Sequence, residues 1–244
     1  MPSSRSSLRT IASATASPAL QIARDSALLE IDPGATLRFY RWQPIGLTLG
    51  HFQDGGRFRV PAIPHEMVRR PTGGGAIWHE HELTYCLSLP DDEALSSEDW
   101  QLAVHHAIAR ALASLQFRSN VLCDGPVHGG PRAEGWCFAE PRRGDLVGPD
   151  GRKLCGSALR RTRRPRTRLL MHGSLILEPP AAGPRCASLA DQRNPPPIEA
   201  LESAIAREIG QALGRTIESG DLTGEEERRA LALCATVRIA GASS

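Results

Sequence analysis

RRPTGGGAIWH, residues 69–79, places three consecutive glycines between two strand-like runs, MVRR at 67–70 and AIWH at 76–79. Without a side chain, glycine can take a positive φ and expose its backbone amides to a ligand. Arg69 and Arg70 precede the glycines, and their planar guanidinium groups suit a carboxylate or a phosphate. The segment is not a Walker motif, because no Gly-Lys-Ser/Thr follows it, and it is not a dinucleotide fingerprint, because no helix opens after it. On this pattern alone it is either a ligand loop or a flexible hairpin.

The regions around this segment alternate between strand-like and helix-like spacing. Strand patterns are found at 37–42, 46–52, 83–89 and 121–125 and in three pieces of 144–178. Helical patterns are found at 19–31, 96–117, 197–214 and 223–237. Strands grouped with few intervening helices favour an α+β fold. We expect a mixed, largely antiparallel sheet flanked by helices, which the pattern places on one side.

Residues 1–18 contain Arg, Ser, Thr and Ala but no acidic residue. That composition is typical of a mitochondrial transit peptide and also of a disordered tail, and we expect the tail. Residues 19–244 are enough for one catalytic or binding domain with a real core, and we expect it to end in the two C-terminal helices.

The bulk composition disfavours several classes of protein. No run of about 18 apolar residues is present, so we expect no contact with a membrane. The net charge of +2 does not by itself favour nucleic acid as a partner. Six cysteines form no CxxC pair, and because no export signal is visible we expect reduced thiols in the cytoplasm.

Lysine occurs once in the chain. Of 29 Lys and Arg residues, 28 are Arg, and the remaining one is Lys153. Because the two residue types replace each other on most solvated surfaces, a lone lysine is either a chance survivor or a position that needs a compact, rotatable ammonium. We expect the second, which makes Lys153 a candidate catalytic residue.

Three blocks of the sequence resemble the lipoate–protein ligase and octanoyltransferase family, and they occur in the family's order. RRPTGGGAIWHEHELTYCLSLP at 69–90 resembles its RR-x-x-GGG-x-x-x-H stretch, and LRFYRWQPIGLTLGHFQ at 37–53 resembles the strand pair before it. GRKLCGSALRR at 151–161, followed by LMHGSLIL at 170–177, resembles its lysine segment. The resemblance implies the biotin/lipoate ligase catalytic-domain fold. It also implies substrate contacts at Arg70, Gly73, Gly74, Gly75, His79, Gly156, Ser157, His172 and Gly173.

Two features depart from the family pattern. Leu159 stands where the family usually has Gln, which puts contacts made at that position in doubt. The loop PVHGGPRAEG at 126–135 has no counterpart in the blocks, although it directly precedes a cysteine.

That cysteine, Cys137, lies 16 positions before the lone lysine (153 − 137) in GWCFAEPRRGDLV. The segment resembles the C-F-x-x-P…D/E-L-V stretch of the cysteine-dependent octanoyl-carrier-protein:protein octanoyltransferases, in which the cysteine forms an acyl thioester. The resemblance implies that Cys137 is the nucleophile and that Lys153 favours its thiolate. Spacing alone leaves Cys155 open, because alternate residues of a strand share one face. His79 and His172 are candidate proton shuttles, or they hold loops through hydrogen bonds.

The resemblance implies an acyltransferase, with no metal and no cofactor. Octanoyl or lipoyl groups would pass from an acyl carrier protein, through a Cys137 thioester, to a lysine of a lipoyl-domain protein, either a glycine-cleavage H-type protein or a dehydrogenase-complex E2. One alternative is an ATP-dependent lipoate–protein ligase, which needs ATP and Mg²⁺. Another is a non-catalytic relative that binds acyl groups or carriers. RRTRRPRTR at 160–168 is either a solvated turn or a docking surface for acidic carriers.

Overall fold

The computed structural model describes residues 7–54, 65–91, 94–125, 135–163 and 166–239. These residues form eleven strands and four helices. In chain order the elements are β1 (Leu8–Ala16), α1 (Pro18–Ile31), β2 (Ala35–Trp42), β3 (Gly46–Leu49), β4 (Glu66–Arg69), β5 (Ile77–His79), β6 (Glu82–Pro90), α2 (Ser97–Ser114), β7 (Asn120–Val121), β8 (Leu146–Val147), β9 (Lys153–Thr162), β10 (Arg168–Ile176), α3 (Ile198–Leu213), β11 (Ile217–Ser219) and α4 (Gly224–Val237).

The described strands form a large sheet and a small one. The large sheet has the order β11-β1-β2-β6-β10-β9-β8-β7, in which β1 is parallel to both of its neighbours and the other pairs are antiparallel. The small sheet has the order β4-β3-β5, with one parallel and one antiparallel pair. The predicted mixed, largely antiparallel sheet is confirmed.

Helices cover both faces of the large sheet, so the expectation that they lie on one side was wrong. Leu83, Tyr85 and Leu87 of β6 pack with residues of α2 and α3 in the main core. Cys86, between them, packs on the opposite face with residues of α1 such as Ile22. Along β6 apolar residues alternate with polar or small ones, and both sets are buried, so the pattern could not show that helices cover the second face as well.

The amino-terminal segment corrects a second expectation, because residues 8–16 form β1 rather than a disordered tail. This strand pairs with β2 and with β11. Arg9 is held by Glu226 of α4, with Nη2 at 2.6 Å from Oε1 and Nη1 at 3.0 Å from Oε2. Residues 1–6 lie outside the described residues.

Most other predicted elements are confirmed within a few residues at each end. The strands expected at 46–52 and 121–125 are shorter, because β3 ends at Leu49 and β7 consists of Asn120–Val121. Residues 126–134 of the unmatched loop and residues 164 and 165 of the Arg-rich segment lie outside the described residues. No described helix is long and apolar enough to cross a membrane.

Candidate active site

Lys153, the first residue of β9, lies beside Cys137 inside the protein. Its Nζ atom is 2.6 Å from Asp145 Oδ2 and 3.6 Å from Cys137 Sγ. The side chains of Lys153 and Asp145 have no exposed surface. A buried charge is costly unless it is paired. The ion pair therefore explains how a lysine is kept at this position, and the thiol contact gives that lysine a chemical partner.

Asp145 is itself fixed by two other parts of the chain. Gln101 of α2 donates a hydrogen bond to Oδ1 at 3.2 Å, and the backbone N–H of Arg142 donates to Oδ2 at 2.9 Å. Sequence reasoning missed Asp145 as a site residue, although it begins the quoted DLV stretch. The available signal was physical, because a lysine that is buried for chemistry needs an acid next to it.

The glycine segment holds Cys137 through backbone hydrogen bonds. Trp136 forms a parallel bridge with Ala76, the residue that follows the three glycines. The N–H of Cys137 donates to Ala76 O at 2.9 Å, and the N–H of Ala76 donates to Gly135 O at 2.9 Å. Cys137 is 5% exposed. The backbone of Cys137 is thus held by the residue that follows the three glycines.

Cys155, which spacing had left open as a nucleophile, lies in the main core between the sheet and α2. It is fully buried, and burial, with Asp145 nearby, raises the pKa of its thiol. The described contact of the lysine ammonium is with Cys137 instead. Geometry therefore supports Cys137 over Cys155.

Arg70 shapes the glycine loop from inside. Its Nη2 atom donates to Gly73 O at 3.1 Å and to Gly75 O at 2.8 Å, and its Nη1 atom donates to the Thr48 hydroxyl at 2.6 Å. Gly74 lies between these carbonyls with a φ of 96°, which favours glycine. Arg70 therefore orients the loop backbone, in addition to lining the cleft described below.

His172 connects the glycine loop to a buried carboxylate. Its Nε2 atom lies 2.6 Å from the Thr72 hydroxyl, and its Nδ1 atom lies 3.0 Å from Asp25 Oδ2. Burial lowers the pKa of His172, despite the opposing effect of Asp25. The ring is therefore kept neutral, with both nitrogens engaged.

His79 has the same arrangement on the small sheet. Its Nε2 atom lies 2.7 Å from the Thr48 hydroxyl, and its Nδ1 atom lies 2.6 Å from Glu82 Oε1. Burial opposes ionisation of Glu82, but the contact with His79 is among those that lower the pKa of this carboxyl. Trp42 stacks on the His79 ring with centroids 3.9 Å apart. His172 is thus placed to hold the glycine loop, and His79 is placed to hold β3.

Gly156 is required by the lysine. A Cβ atom at this position would lie 2.2 Å from Lys153 Cε and 2.5 Å from Nζ, so the lysine side chain folds directly over the glycine. The next residue, Ser157, hydrogen-bonds to His105 of α2. No local pattern marks His105, because its partner Ser157 is 52 positions away in the chain.

A cleft of about 390 Å³ brings most of the predicted site residues together. It is lined by Ile22, Tyr40, Trp42, Arg70, Gly74, Ile77, His79, Thr84, Cys137, Gly156, Ser157, Ala158, His172, Gly173 and Ser174. Lys153 does not line the cleft, but it contacts Cys137, which does. Gly73 and Gly75 belong to the glycine loop and do not line the cleft either. Within the described ranges, no group of three His, Cys, Asp or Glu side chains is placed to share a metal ion.

Comparison with known proteins identifies the family of the chain, relatives of the chain and solved structures that share its fold. A model of the lipoyl protein ligase A/B catalytic domain family matches residues 17–197. Octanoyltransferase LipM of Kyrpidia tusciae is 30% identical over 258 aligned positions, which cover 90% of this chain and 92% of that protein. Octanoyltransferase LipM of Bacillus subtilis is 32% identical over 198 positions, which cover 70% and 65%. A chain from the solved structure of a bi-partite lipoate protein ligase and its E2 lipoyl domain from Thermoplasma acidophilum has a TM-score of 0.73 and 18% identity, covering 95% of this chain and 93% of that one. At that identity the likeness concerns the fold alone.

Proposed function

Since the chain belongs to the lipoyl protein ligase A/B catalytic domain family, we propose that it is an octanoyltransferase that works through a thioester on Cys137. The acyl donor is an octanoyl thioester of an acyl carrier protein. The acceptor is a lysine of a lipoyl-domain protein, either a glycine-cleavage H-type protein or a dehydrogenase-complex E2. Two relatives named as octanoyltransferases support the transfer, each at 30% identity or above.

The contact between Lys153 Nζ and Cys137 Sγ, at 3.6 Å, carries the cysteine mechanism. A fixed ammonium next to sulfur stabilises the negative charge of the thiolate, which is the nucleophilic form of cysteine. The thiolate attacks the carbonyl carbon of the donor thioester, a new C–S bond forms, and the C–S bond to the carrier breaks so that the carrier leaves as its thiolate. The same ammonium then stabilises the thiolate that leaves when an amine takes the acyl group.

The cleft suits a short acyl chain that ends at Cys137. Ile22, Trp42 and Ile77 give it apolar walls, while Cys137 and Gly156 lie at the reacting end. An octanoyl chain would bury its apolar surface here and would keep its carbonyl next to the thiol.

The carriers would dock next to the Arg-rich β9–β10 hairpin. Arg160 Nη1 lies 3.3 Å from Pro71 O, which places the hairpin beside the glycine loop. Arg161 is already paired with Asp91, whereas Arg160 and Arg166 are exposed and pair with no carboxylate of the described residues. Their charge would attract an acidic carrier, and the association rate would fall as salt rises.

Two reaction mixtures test the proposal against the ligase alternative. Octanoyl-carrier protein without ATP should leave an octanoyl adduct on Cys137, detected by mass spectrometry, and a lipoyl-domain protein should then receive the group. Free lipoate with ATP and Mg²⁺ should give no product. Product only in the second mixture, with no adduct on Cys137, would favour the ligase. Binding without turnover in both mixtures would favour a non-catalytic relative.

A further inference from the structure

A serine, a histidine and a tyrosine form a hydrogen-bonded chain that the transfer described above does not use. Ser157 Oγ lies 2.5 Å from His105 Nε2 and also contacts the Tyr85 hydroxyl. Ser157 lines the same cleft as Cys137. His105 lies behind it on α2 and is fully buried. The chain therefore leads from the reacting end of the cleft into the helix layer.

A backbone carbonyl determines which atom is the donor in each hydrogen bond between Ser157, His105 and Tyr85. His105 Nδ1 lies 2.5 Å from Gly144 O, and because a carbonyl only accepts, Nδ1 carries the proton. In the neutral imidazole, Nε2 then has the lone pair and accepts the hydrogen of the Ser157 hydroxyl. Burial raises the pKa of Tyr85 well above its ordinary value, so its hydroxyl stays protonated and donates to Ser157. The serine hydrogen is thus directed at a base.

One turn of the chain orients both this base and the cation of the site. Gly144 accepts the hydrogen bond from His105, and the next residue, Asp145, pairs with Lys153. A backbone bond from Asp145 N–H to Arg142 O, at 2.8 Å, closes the turn. The proton-accepting group and the ammonium are therefore positioned by adjacent residues, on the side of the sheet that carries α2.

His79, His172 and Lys153, the other candidate proton carriers near the cleft, are bonded to other partners. His79 and His172 each bond a buried carboxylate through Nδ1 and a threonine hydroxyl through Nε2. Lys153 is bound to Asp145 as an ion pair. His105 differs from the two other histidines, since its Nε2 atom faces a hydroxyl that itself lines the cleft.

We propose that Ser157 and His105 form the proton relay for the second half of the transfer, in which an amine attacks the acyl group on Cys137. This inference rests on the proposed function. As the neutral amine attacks, a C–N bond forms, and the C–S bond then breaks to leave the Cys137 thiolate beside Lys153. One amine proton passes to Ser157 Oγ while the serine proton passes to His105 Nε2. After the amide product leaves, the proton returns through Ser157 to water in the cleft.

In this scheme Ser157 touches the reacting amine, and His105 acts through Ser157 as a positioning residue and proton acceptor. The first half of the transfer does not need the relay, because the attacking thiolate has no proton to lose. Variants of Ser157 and His105 should therefore slow the transfer from Cys137 to the amine without slowing the acylation of Cys137 to the same extent. General acid–base groups contribute roughly 10²–10⁴-fold to a rate.

Single-turnover kinetics test the relay in the full-length protein. The enzyme is first acylated with octanoyl-carrier protein and then mixed with a lipoyl-domain protein, and both steps are followed by intact mass. Ser157→Ala and His105→Gln should slow the acyl transfer from Cys137 to the amine at least about 10²-fold, and acylation of Cys137 should change less than about 3-fold. Added imidazole should restore part of the second step in His105→Gly, which a purely structural histidine would not permit.

His106→Gln is the matched control, because His106 is the next residue of the same helix and is exposed. It should leave both steps unchanged. Equal slowing of both steps in Ser157→Ala, or a normal second step in a folded Ser157→Ala, overturns the relay while the proposed function stands. A wild-type enzyme that forms no adduct on Cys137 contradicts the proposed function and the relay together.

Discussion

Two of the buried ion pairs in the described part of the chain, Arg38–Asp25 and Lys153–Asp145, differ in what else they touch. Arg38 and Asp25 lie 2.5 Å apart, and the guanidinium also donates to Gln21 Oε1 at 2.7 Å. The second oxygen of Asp25 accepts from the Tyr40 hydroxyl at 2.8 Å and from His172. Burial, with Asp25 beside it, raises the pKa of the Cys86 thiol next to this pair, and Cys86 does not line the cleft.

The pair between Lys153 and Asp145 is equally buried, but the ammonium also contacts the Cys137 thiol. Arginine suits the first pair, because a rigid fork with five donors can satisfy several fixed acceptors at once. Lysine suits the second, because a compact ammonium can serve a carboxylate and a reactive sulfur together. A buried ion pair is therefore no sign of a site by itself. The difference is that the thiol beside Lys153, Cys137, lines the cleft, whereas the thiol beside Arg38 and Asp25, Cys86, is fully buried away from it.

Replacing Lys153 by arginine should give the largest difference between the two ion pairs. Lys153→Arg keeps the charge but places a planar guanidinium over Gly156, where the lysine already fits closely. We expect acylation of Cys137 to fall at least about 10²-fold, the effect of losing one preorganised stabilising group. The measurement is the single-turnover rate of adduct formation by mass spectrometry.

Arg38→Lys is the reciprocal control, since it removes hydrogen bonds to Gln21 but leaves a cation beside Asp25. It should lower the free energy of unfolding while the folded enzyme still acylates Cys137 far faster than Lys153→Arg. Similar losses of acylation in both variants would contradict the distinction between the two pairs.

Removing the acid from each pair gives the next largest effect. Asp25→Asn and Asp145→Asn should each lower the free energy of unfolding by about 3–5 kcal/mol, because each leaves a buried cation without its counterion. Denaturant unfolding measures this loss. Acylation by the folded fraction should fall much further in Asp145→Asn than in Asp25→Asn, because Asp145 holds the cation that contacts the thiol. A larger loss of acylation in Asp25→Asn would contradict this.

Residue type and local motif made half of the proposed catalytic arrangement predictable. Lys153 was marked by being the only lysine, and Cys137 by the segment around it. Asp145 and His105 could not be found in that way, since their roles come from contacts across the fold. Ser157 and His105, for example, are 52 positions apart. No pattern of apolar spacing states which helix residue will face a given strand residue.

The same limit explains the errors in the fold. Most of β1 is small or polar, and only Leu8 and Ile11 are buried, so the strand has no alternating signal. Its identity as a strand comes from pairing with β2 and β11, which lie next to it only after folding. By contrast, β6 and α2 carry strong periodic patterns and could be predicted closely.

Gly156→Ala tests how closely Lys153 packs on Gly156 and leaves the Arg38–Asp25 pair unchanged. The added Cβ atom must displace Lys153 Cε or Nζ, which would lie 2.2 Å and 2.5 Å away. We expect a loss of roughly 1–3 kcal/mol in the free energy of unfolding, as for other overpacked sites, together with slower acylation of Cys137. Gly34→Ala is the control, since its Cβ atom would meet only Asp32 Oδ1, at 3.5 Å. Equal effects of the two substitutions would argue against close packing of the lysine on Gly156.

The smallest expected effect is a pH dependence that belongs to the Arg38–Asp25 cluster. Burial lowers the pKa of His172 below 6.5, so the unfolded chain takes up this proton first as pH falls. Below about pH 6.5 the free energy of unfolding should therefore decrease, by at most about 1.4 kcal/mol per pH unit from this group, until the folded protein also binds the proton. Denaturant unfolding between pH 7.5 and 5, at roughly half-unit steps, measures this slope.

His172→Gln should flatten it and His106→Gln should not, because His106 is exposed. An unchanged slope in His172→Gln would mean that the proton is taken up elsewhere. In that case protonation of His172, which links Asp25 to Thr72 of the glycine loop, would not be the source of the pH dependence.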